Sequence, residues 1–442
     1  MNTGDTAWVL ASAALVLLMT PGLAFFYGGM VRSKSVLNML MMSFATIGVV
    51  TVLWVLYGFS VAFGESGSSL WGGLGWAGMQ DLTTVETTVN GAEYGIPLLV
   101  FAAFQLMFAI ITPALISGAI ADRAKFGAWL AFVVVWTSLV YFPVAHWVFD
   151  FGNADGEGAG WLAGRGVLDF AGGAAVHVNA GAAGLALALV LGRRVGWRRD
   201  PMRPHNLPLV MLGAGLLWFG WFGFNAGSAL GANALAGQAF FTTMVATAAA
   251  LVGWLAVERL RDGHPTSLGA ASGAVAGLVA VTPACAFITP MGALGLGLVA
   301  GAACALAVGL KWRLGFDDSL DVVGVHLVGG AVGAVSLGLI ADAGDLGQGL
   351  LYGGDASLLG KQVLAVAAVG GYSFVMALLI GKAIDLVAGF RLPEEDEVSG
   401  IDLAAHAESG YDLHQGTGAR SGVPSALLTG ATSTEEKEGV PA

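Results

Sequence analysis

The chain has 442 residues, of which 56% are hydrophobic and only 11% are charged, and its formal net charge is -11. Because a soluble domain carries about a quarter charged residues, this composition excludes a soluble globular protein and predicts an integral membrane protein. The 68 glycines favour closely packed transmembrane helices, whose backbones approach through small side chains. The acidic balance, placed in loops and tail, argues against a nucleic-acid partner.

Membrane spans can be located between charged residues, because about 20 apolar residues cross the hydrocarbon core as a helix. Seven gaps hold one span each and two longer gaps hold two each. The N-terminal stretch lacks a basic region and carries Asp5, which indicates a first span rather than a signal peptide. We therefore predict an all-α integral membrane protein with eleven transmembrane helices. The single gaps are 5–32, 34–65, 93–122, 125–150, 169–193, 321–342 and 361–382, and the double gaps are 203–258 and 262–311.

Basic residues fall in every second loop. The positive-inside rule assigns such loops to the cytoplasm, so we predict an N-terminus outside the inner (plasma) membrane and a C-terminus in the cytoplasm. The basic loops carry Arg32 and Lys34, Arg123 and Lys125, Arg193 through Arg203, Arg259 and Arg261, Lys311 and Arg313, and finally Lys382 and Arg391.

The first ten spans divide into two halves of five, at about residues 5–195 and 203–341, followed by an eleventh helix at about 361–388. Halves with an odd number of spans insert in opposite senses, which is the inverted-repeat arrangement of many transporters. In each half an aspartate precedes a histidine by eight residues, Asp169 before His177 and Asp318 before His326. At 1.5 Å per residue both imidazoles lie roughly 12 Å deep in a core of about 30 Å.

These two histidines are the leading candidates for function. An ionisable side chain within a membrane span is costly and indicates a functional group with a nearby partner, and here each imidazole supplies the partner of the other. His146, His205 and His264 have no such relation, and we interpret them as structural. The two aspartates have a structural alternative, since aspartate commonly caps a helix N-terminus; for Asp318 this is the preferred interpretation.

Several long motifs, in order, carry a family resemblance. The chain resembles ammonium transporters of the Amt/Mep/Rh family, and most of all their bacterial Amt branch, over about residues 5 to 412. The motifs are DTAW at 5–8, PGLAFFYGGMVR at 21–32, DFAGG at 169–173 with His177, GWFGFNAGS at 220–228, and DVVGVH at 321–326.

The resemblance implies a homotrimer with one pore through each subunit, and it implies roles for matching residues. It places Phe104, Phe149 and Ser228 at an outer recruitment site, Phe108 and Phe224 at a gate beneath it, His177 and His326 in a hydrophobic pore flanked by Trp221, and Asp169 in a supporting position. Phe149 stands where the family commonly has tryptophan, which is the best cation–π face. With phenylalanine there, the outer site either binds ammonium more weakly than in relatives with tryptophan, or the adjacent Trp147 contributes to binding. Without the resemblance, Phe104 and Phe108 at i, i+4 would be read as core packing.

The proposed chemistry follows from the substrate. Aromatic faces and a hydroxyl can replace part of the water shell of ammonium, but they would gather potassium of similar size as well. Selectivity then requires what ammonium alone has, a proton that it can release, and imidazole relays protons near neutral pH. We hypothesise that ammonium loses its proton at or below Phe108 and Phe224 and that ammonia passes His177 and His326. Electrogenic and electroneutral transport both stay open.

Two other classes of protein compete with a transporter. A metal enzyme needs three or four ligands, and both aspartates lie about 12 Å from the histidines along their helices, so we predict no enzyme, no metal and no cofactor. Cys285 and Cys304 are interpreted as packing residues. An ammonium sensor with little transport stays open, although no kinase or cyclase domain follows the last span.

The C-terminal region divides in two. Residues 391–411 resemble the cytoplasmic regulatory segment of the family, which in bacterial relatives meets a PII-family signalling protein. Proline, glycine and a run of acids exclude a long helix there, and Ile401 and Leu403 offer a small apolar anchor. From 412 to 442 the chain is rich in Gly, Ser, Thr and Glu, which predicts disorder.

Overall fold

The computed structural model describes residues 1–65, 68–83, 88–89, 92–153 and 156–411. Within these residues ten helices are long and apolar enough to cross a membrane, and one apolar helix is shorter. The prediction of an all-helical membrane domain is confirmed. The strands in the described part of the chain are one short antiparallel pair outside the membrane helices, β1 (Thr88–Val89) and β2 (Ala92–Glu93). In chain order α1 to α11 are Thr3–Met30, Ser33–Phe63, Leu98–Ile120, Phe126–Phe149, Gly173–Leu191, Leu207–Gly227, Ala234–Asp262, Ser267–Val281, Pro290–Leu314, Val323–Ile340 and Ala356–Ala388.

The count of eleven spans depends on α8. Its 15 residues rise about 22 Å at 1.5 Å per residue, which is less than a hydrocarbon core of about 30 Å. The helix ends at Val281 with Thr282 as its C-cap, and non-helical turns lead from there to the Thr289 cap of α9. This backbone is buried inside the protein, which is where irregular backbone is tolerated in a membrane.

The first helices of the two halves, α1 and α6, pack closely and antiparallel. A Cβ on Gly29, near the end of α1, would lie 2.7 Å from the carbonyl oxygen of Asn206 at the start of α6. At the other end, a Cβ on Gly223 would lie 2.6 Å from the Cβ of Leu15. Glycine is required at both crossings because any side chain would separate the backbones.

The last helices of the two halves, α5 and α10, show the same antiparallel relation. The Cα of Gly181 abuts the backbone of Leu327, and a Cβ on Gly330 would lie 3.0 Å from the Cβ of His177. Corresponding helices of the two halves therefore run in opposite directions, as an inverted repeat requires. Both helices also begin with a π-helical turn, Gly173–Val178 and Val323–Leu327, and each turn contains its histidine.

After α11 the chain forms two six-residue helices, α12 (Glu394–Ser399) and α13 (Ile401–His406). Ile401 is fully buried, as predicted for an anchor. Leu403 is 70% exposed, so its predicted anchoring role is wrong: on so short a helix the two side chains point in different directions. The predicted disordered tail, 412–442, lies outside the described residues.

The two ends of the membrane helices differ in charge. Helices α3 and α5 begin beside aromatic side chains, and both end at arginine-bearing loops that hold Arg123 and Arg194. We call this second end the basic face. The C-terminal segment is fixed there, since the carboxylate of Asp402 accepts the amide protons of Leu37 at 3.0 Å and Asn38 at 2.8 Å.

Candidate functional site

A small cavity opens at the starts of α3 and α5. Its volume is about 40 Å³, enough for one or a few water-sized particles, because a single water needs about 10 to 15 Å³ by this measure. The wall is mostly aromatic, and its polar side chains are an amide, a phenol and a hydroxyl. We call it the aromatic cavity; its lining residues include Tyr94, Phe101, Gln105, Phe108, Phe149, Phe170 and Ser228.

The structure brings three of the predicted residues to this cavity and leaves one out. Phe149, Ser228 and Phe108 line it, but Phe104 does not. The Phe104 ring is buried and packs edge-on against Phe108, with 4.9 Å between ring centroids. Phe101, one turn earlier on α3, lines the cavity instead.

Trp147, the residue predicted to assist Phe149, does not line the aromatic cavity. Its indole nitrogen donates to the carbonyl of Leu70 at 2.8 Å, and its ring packs against Trp161 and Tyr372. Phe149 lies two residues further along the same helix and reaches the cavity. Residues two positions apart on a helix point to different faces, and the tryptophan packs against the neighbouring loops and helix instead.

Two tilted rings in close contact form the floor of the aromatic cavity. Phe108 and Phe224 lie with centroids 4.4 Å apart, at an interplanar angle of 44°. Both rings are at most 1% exposed. A hydrated ion cannot pass between them without movement of a ring, so this pair separates the cavity from the protein interior.

The two predicted histidines meet below this floor. His177 and His326 approach through their Nδ1 atoms at 3.3 Å, with nearly parallel rings. Trp221 stacks on His177 at 5.3 Å and donates its indole N–H to Thr282. A continuous row of rings therefore runs from Phe108 through Phe224 to the histidine pair.

The tautomers of the pair are constrained by this contact. A hydrogen bond between two Nδ1 atoms needs one donor and one acceptor, so one imidazole carries its proton on Nδ1 and the other on Nε2. Nε2 of His177 is buried and has no hydrogen-bond partner among the described residues. When His177 donates through Nδ1, its Nε2 is a free proton acceptor facing an apolar interior.

The two aspartates hold the histidine-bearing turns. Asp169 accepts four backbone amide protons, from Gly172 to Ala175, at 2.5 to 3.1 Å. Asp318 accepts two, from Val322 and Val323, at 3.1 and 2.8 Å. Both are N-terminal caps, which confirms the capping interpretation and leaves neither carboxylate in contact with an imidazole. Capping also compensates the amides that the start of a helix leaves without partners.

Several residues that line the aromatic cavity were not predicted as site residues, and two of them, Phe101 and Gln105, lie on the same helix as Phe108. Phe101 and Gln105 lie at i, i+4 on α3, and Phe108 follows at i+7, which is one helical face. That spacing could have identified them, but Phe104 and Phe108 satisfy the same rule. Among the described residues, no group of three His, Cys, Asp or Glu could hold a metal, and Cys285 and Cys304 are buried thiols.

A helical membrane protein with an inverted repeat, a water-sized aromatic cavity and a buried histidine pair has the construction of a transporter or channel for a small solute. The comparisons identify the solute class. A family model described as Ammonium Transporter Family matches residues 7–411, and the chain belongs to this family. Its relatives are named as transporters rather than enzymes.

The similarity extends over most of the chain. An ammonium transporter of Mycobacterium tuberculosis is 58% identical over 436 residues, covering 94% of this chain and 91% of that protein. A solved structure described as a Sensor Amt Protein superposes with a TM-score of 0.83 at 28% identity, over 91% of this chain and 98% of its own. The crystal structure of Candida albicans Mep2 gives 0.80 at 32%, over 90% and 88%.

Proposed function

We propose that this protein recruits ammonium in the aromatic cavity, removes its proton at the floor of the cavity, and conducts ammonia past His177 and His326. The observation that carries the proposal is the row of buried rings, whose members form no ion pair with a carboxylate in the described part of the chain. An ion stripped of water in such a passage is strongly disfavoured, whereas a neutral molecule is not.

Recruitment uses the cavity wall. The rings of Phe101, Phe108 and Phe149 present faces to a cation, each contact contributing about 0.5 to 2 kcal/mol. Ser228 donates its hydroxyl proton to the carbonyl of Phe224 at 2.8 Å, which leaves its oxygen lone pairs available to accept an N–H of ammonium. Gln105 adds an amide oxygen to this wall.

The histidine pair supplies a route for the proton. A proton accepted at Nε2 of His177 can be balanced by transfer of its Nδ1 proton to Nδ1 of His326, with release from Nε2 of His326. Ammonia then follows along the same rings. The alternative is release of the proton into the aromatic cavity, which makes transport electroneutral.

The N-terminus faces the outside of the inner (plasma) membrane and the basic face meets the cytoplasm in this proposal, because arginine and lysine concentrate at cytoplasmic loops. By family resemblance, we also propose that the protein is a homotrimer and that a PII-family partner binds at the basic face. The docked segment α12 and α13 is the surface that such a partner would meet, and residues 391–411 are proposed to regulate the pore.

The decisive measurement is the current of reconstituted protein after ammonium or potassium jumps. We expect ammonium but not potassium to give current in the wild type, and His177→Ala or His326→Ala to abolish it or to admit potassium. His264→Ala, in an exposed loop, is the matched control and should behave as wild type. Equal potassium and ammonium currents in the wild type would overturn the proposal; ammonium uptake without current would select the electroneutral form.

A sensor is the second candidate, favoured by the superposition on the Sensor Amt Protein. It predicts ammonium binding with little flux. Uptake by the reconstituted wild-type protein that stays at the level of empty vesicles, together with ammonium-dependent thermal stabilisation, would establish the sensor and exclude the transporter.

A further inference from the structure

The basic face contains a second pocket, separate from the pore. Its volume is about 340 Å³, and it lies where the chain leaves α5. Five of its lining side chains are arginines and only one is acidic: Arg193, Arg194, Arg198, Arg199, Arg391 and Glu394. So many guanidinium groups around one pocket indicate a ligand with negative charge.

Two of these arginines are already neutralised by the protein. Arg194 is buried and pairs with Asp317 at 2.9 Å and with Asp122 at 3.4 Å, while Arg391 pairs with Glu397 at 2.7 Å. The remaining three are exposed and form no ion pair with any carboxylate in the described part of the chain, and they outnumber the exposed acids Glu394 and Asp200 beside them. They are Arg193, Arg198 and Arg199.

Trp197 lines the pocket, and Trp312 supports it from behind. Trp197 stacks on Trp312 with centroids 5.3 Å apart and planes at 14°. The guanidinium groups of Arg193 and Arg198 lie over the Trp197 ring, at 4.8 and 4.5 Å from its centroid. This stacking orders the two arginines in the absence of a carboxylate.

One donor that lines the pocket has no acceptor. Trp197 is only 8% exposed, and its indole nitrogen has no hydrogen-bond partner among the described residues. A buried N–H without a partner is costly. An anion oxygen in the pocket would supply the missing acceptor beside the arginines.

We propose that this pocket binds the phosphate group of an anionic lipid of the membrane leaflet at the basic face. Trp312 is 45% exposed and belongs to the last turn of α9, where Leu314 is 72% exposed; Leu306, about two turns earlier, is 59% exposed. These apolar side chains offer a surface to acyl chains next to the arginines. Arginine matches phosphate oxygens with paired donors, and basic pockets beside membrane helices recognise lipid headgroups in this way.

This assignment does not depend on transport and can be tested by binding alone. Purified full-length protein in detergent is titrated with phosphatidylglycerol or phosphatidylcholine, and bound lipid is counted by native mass spectrometry. We expect preferential binding of phosphatidylglycerol, weakened about tenfold by Arg198→Gln with Arg199→Gln. The double control Arg259→Gln with Lys382→Gln removes the same charge from exposed positions elsewhere on this face and should bind as wild type.

Two further arms keep the result decisive. Trp197→Phe keeps an aromatic face and deletes the indole N–H, and it should weaken phosphatidylglycerol binding less than the arginine pair does. If the double variant loses thermal stability, the single exposed change Arg199→Gln replaces it. Wild-type affinity in these arginine variants would overturn the site, and displacement of the lipid by millimolar inorganic phosphate would assign the pocket to free phosphate instead.

Discussion

The aromatic cavity and the basic face lie at opposite ends of the same helices and are held together by different forces. Around the pore, rings contact rings, from Phe108 through Phe224 to His177. At the basic face, buried arginines are held by polar partners: Arg194 pairs with the carboxylate of Asp317, and the fully buried Arg123 donates to the backbone carbonyl of Asp317 at 2.6 Å.

This difference separates function from stability. Ring contacts are individually weak, and substitution of a ring leaves no buried charge without a partner, so substitutions in the row of rings should alter passage of the solute before they unfold the protein. A buried ion pair behaves in the opposite way, because loss of one partner leaves an uncompensated charge. Substitutions that break the buried ion pairs of the basic face should therefore unfold the protein first.

The largest effect is expected for Asp317→Ala. It removes two hydrogen bonds to the Arg194 guanidinium and one to the Arg194 amide, all at 2.8 to 2.9 Å. Breaking a buried pair costs about 3 to 5 kcal/mol. Thermal unfolding in detergent should show a large decrease in melting temperature, while Asp345→Ala, in an exposed loop, should change nothing. Equal melting temperatures would show that the pair does not stabilise the fold.

The pH dependence of that pair sharpens the test. Burial by itself raises the pKa of Asp317, but the hydrogen bonds and charge of Arg194, with the charge of Arg123, outweigh burial and hold this pKa below its usual value. A lowered folded-state pKa stabilises the protein above the unfolded pKa of about 3.9 and loses this contribution as pH falls through the folded value. The gap between wild type and Asp317→Asn should be constant from neutral pH downward and shrink only in strong acid.

The two helix caps should differ in the next largest effect. Asp169 accepts four amide protons and Asp318 accepts two. At about 1 kcal/mol or more for each charged cap contact, Asp169→Ala should lower the melting temperature about twice as far as Asp318→Ala. A greater decrease in melting temperature for Asp318→Ala would mean that other contacts of Asp318, rather than its capping hydrogen bonds, set its contribution to stability.

The sequence predicted the helices and the histidine pair because both depend on periodic, local features. Apolar runs between charges mark spans, and the eight-residue spacing before His177 and His326 repeats in both halves. A rise per residue then converts spacing into depth, and the two imidazoles are adjacent in the structure.

Side-chain direction was less predictable. Phe101, Phe104 and Phe108 are all one or two turns apart on α3, and spacing does not decide which ring turns toward the cavity and which turns into the core. Packing against Phe224 and Gly227 decides it. The direction of the Leu403 side chain was equally unpredictable from the sequence, because its exposure depends on how α13 packs against the rest of the protein.

A smaller effect is expected from Gln105→Leu, which replaces the amide in the aromatic cavity by an apolar side chain of similar size. Loss of one polar contact of about 1 kcal/mol raises the KM for ammonium roughly fivefold. Uptake by reconstituted protein measures it. Gln238→Leu is the control, since its amide bonds the carbonyl of Ile288 away from the cavity. An unchanged KM would show that the wall binds ammonium through rings and Ser228 alone.

The smallest effect, and the closest test of the aromatic cavity, is Phe149→Trp. The indole is a stronger cation–π face, and a gain of about 0.5 kcal/mol lowers the KM for ammonium about twofold. Phe151→Trp is the matched control: that ring also lines the cavity but is 53% exposed, where water screens the contact. A cavity of about 40 Å³ leaves little room for a larger ring, so a KM that rises in Phe149→Trp would show that the volume at this position, and not its quadrupole, governs recruitment.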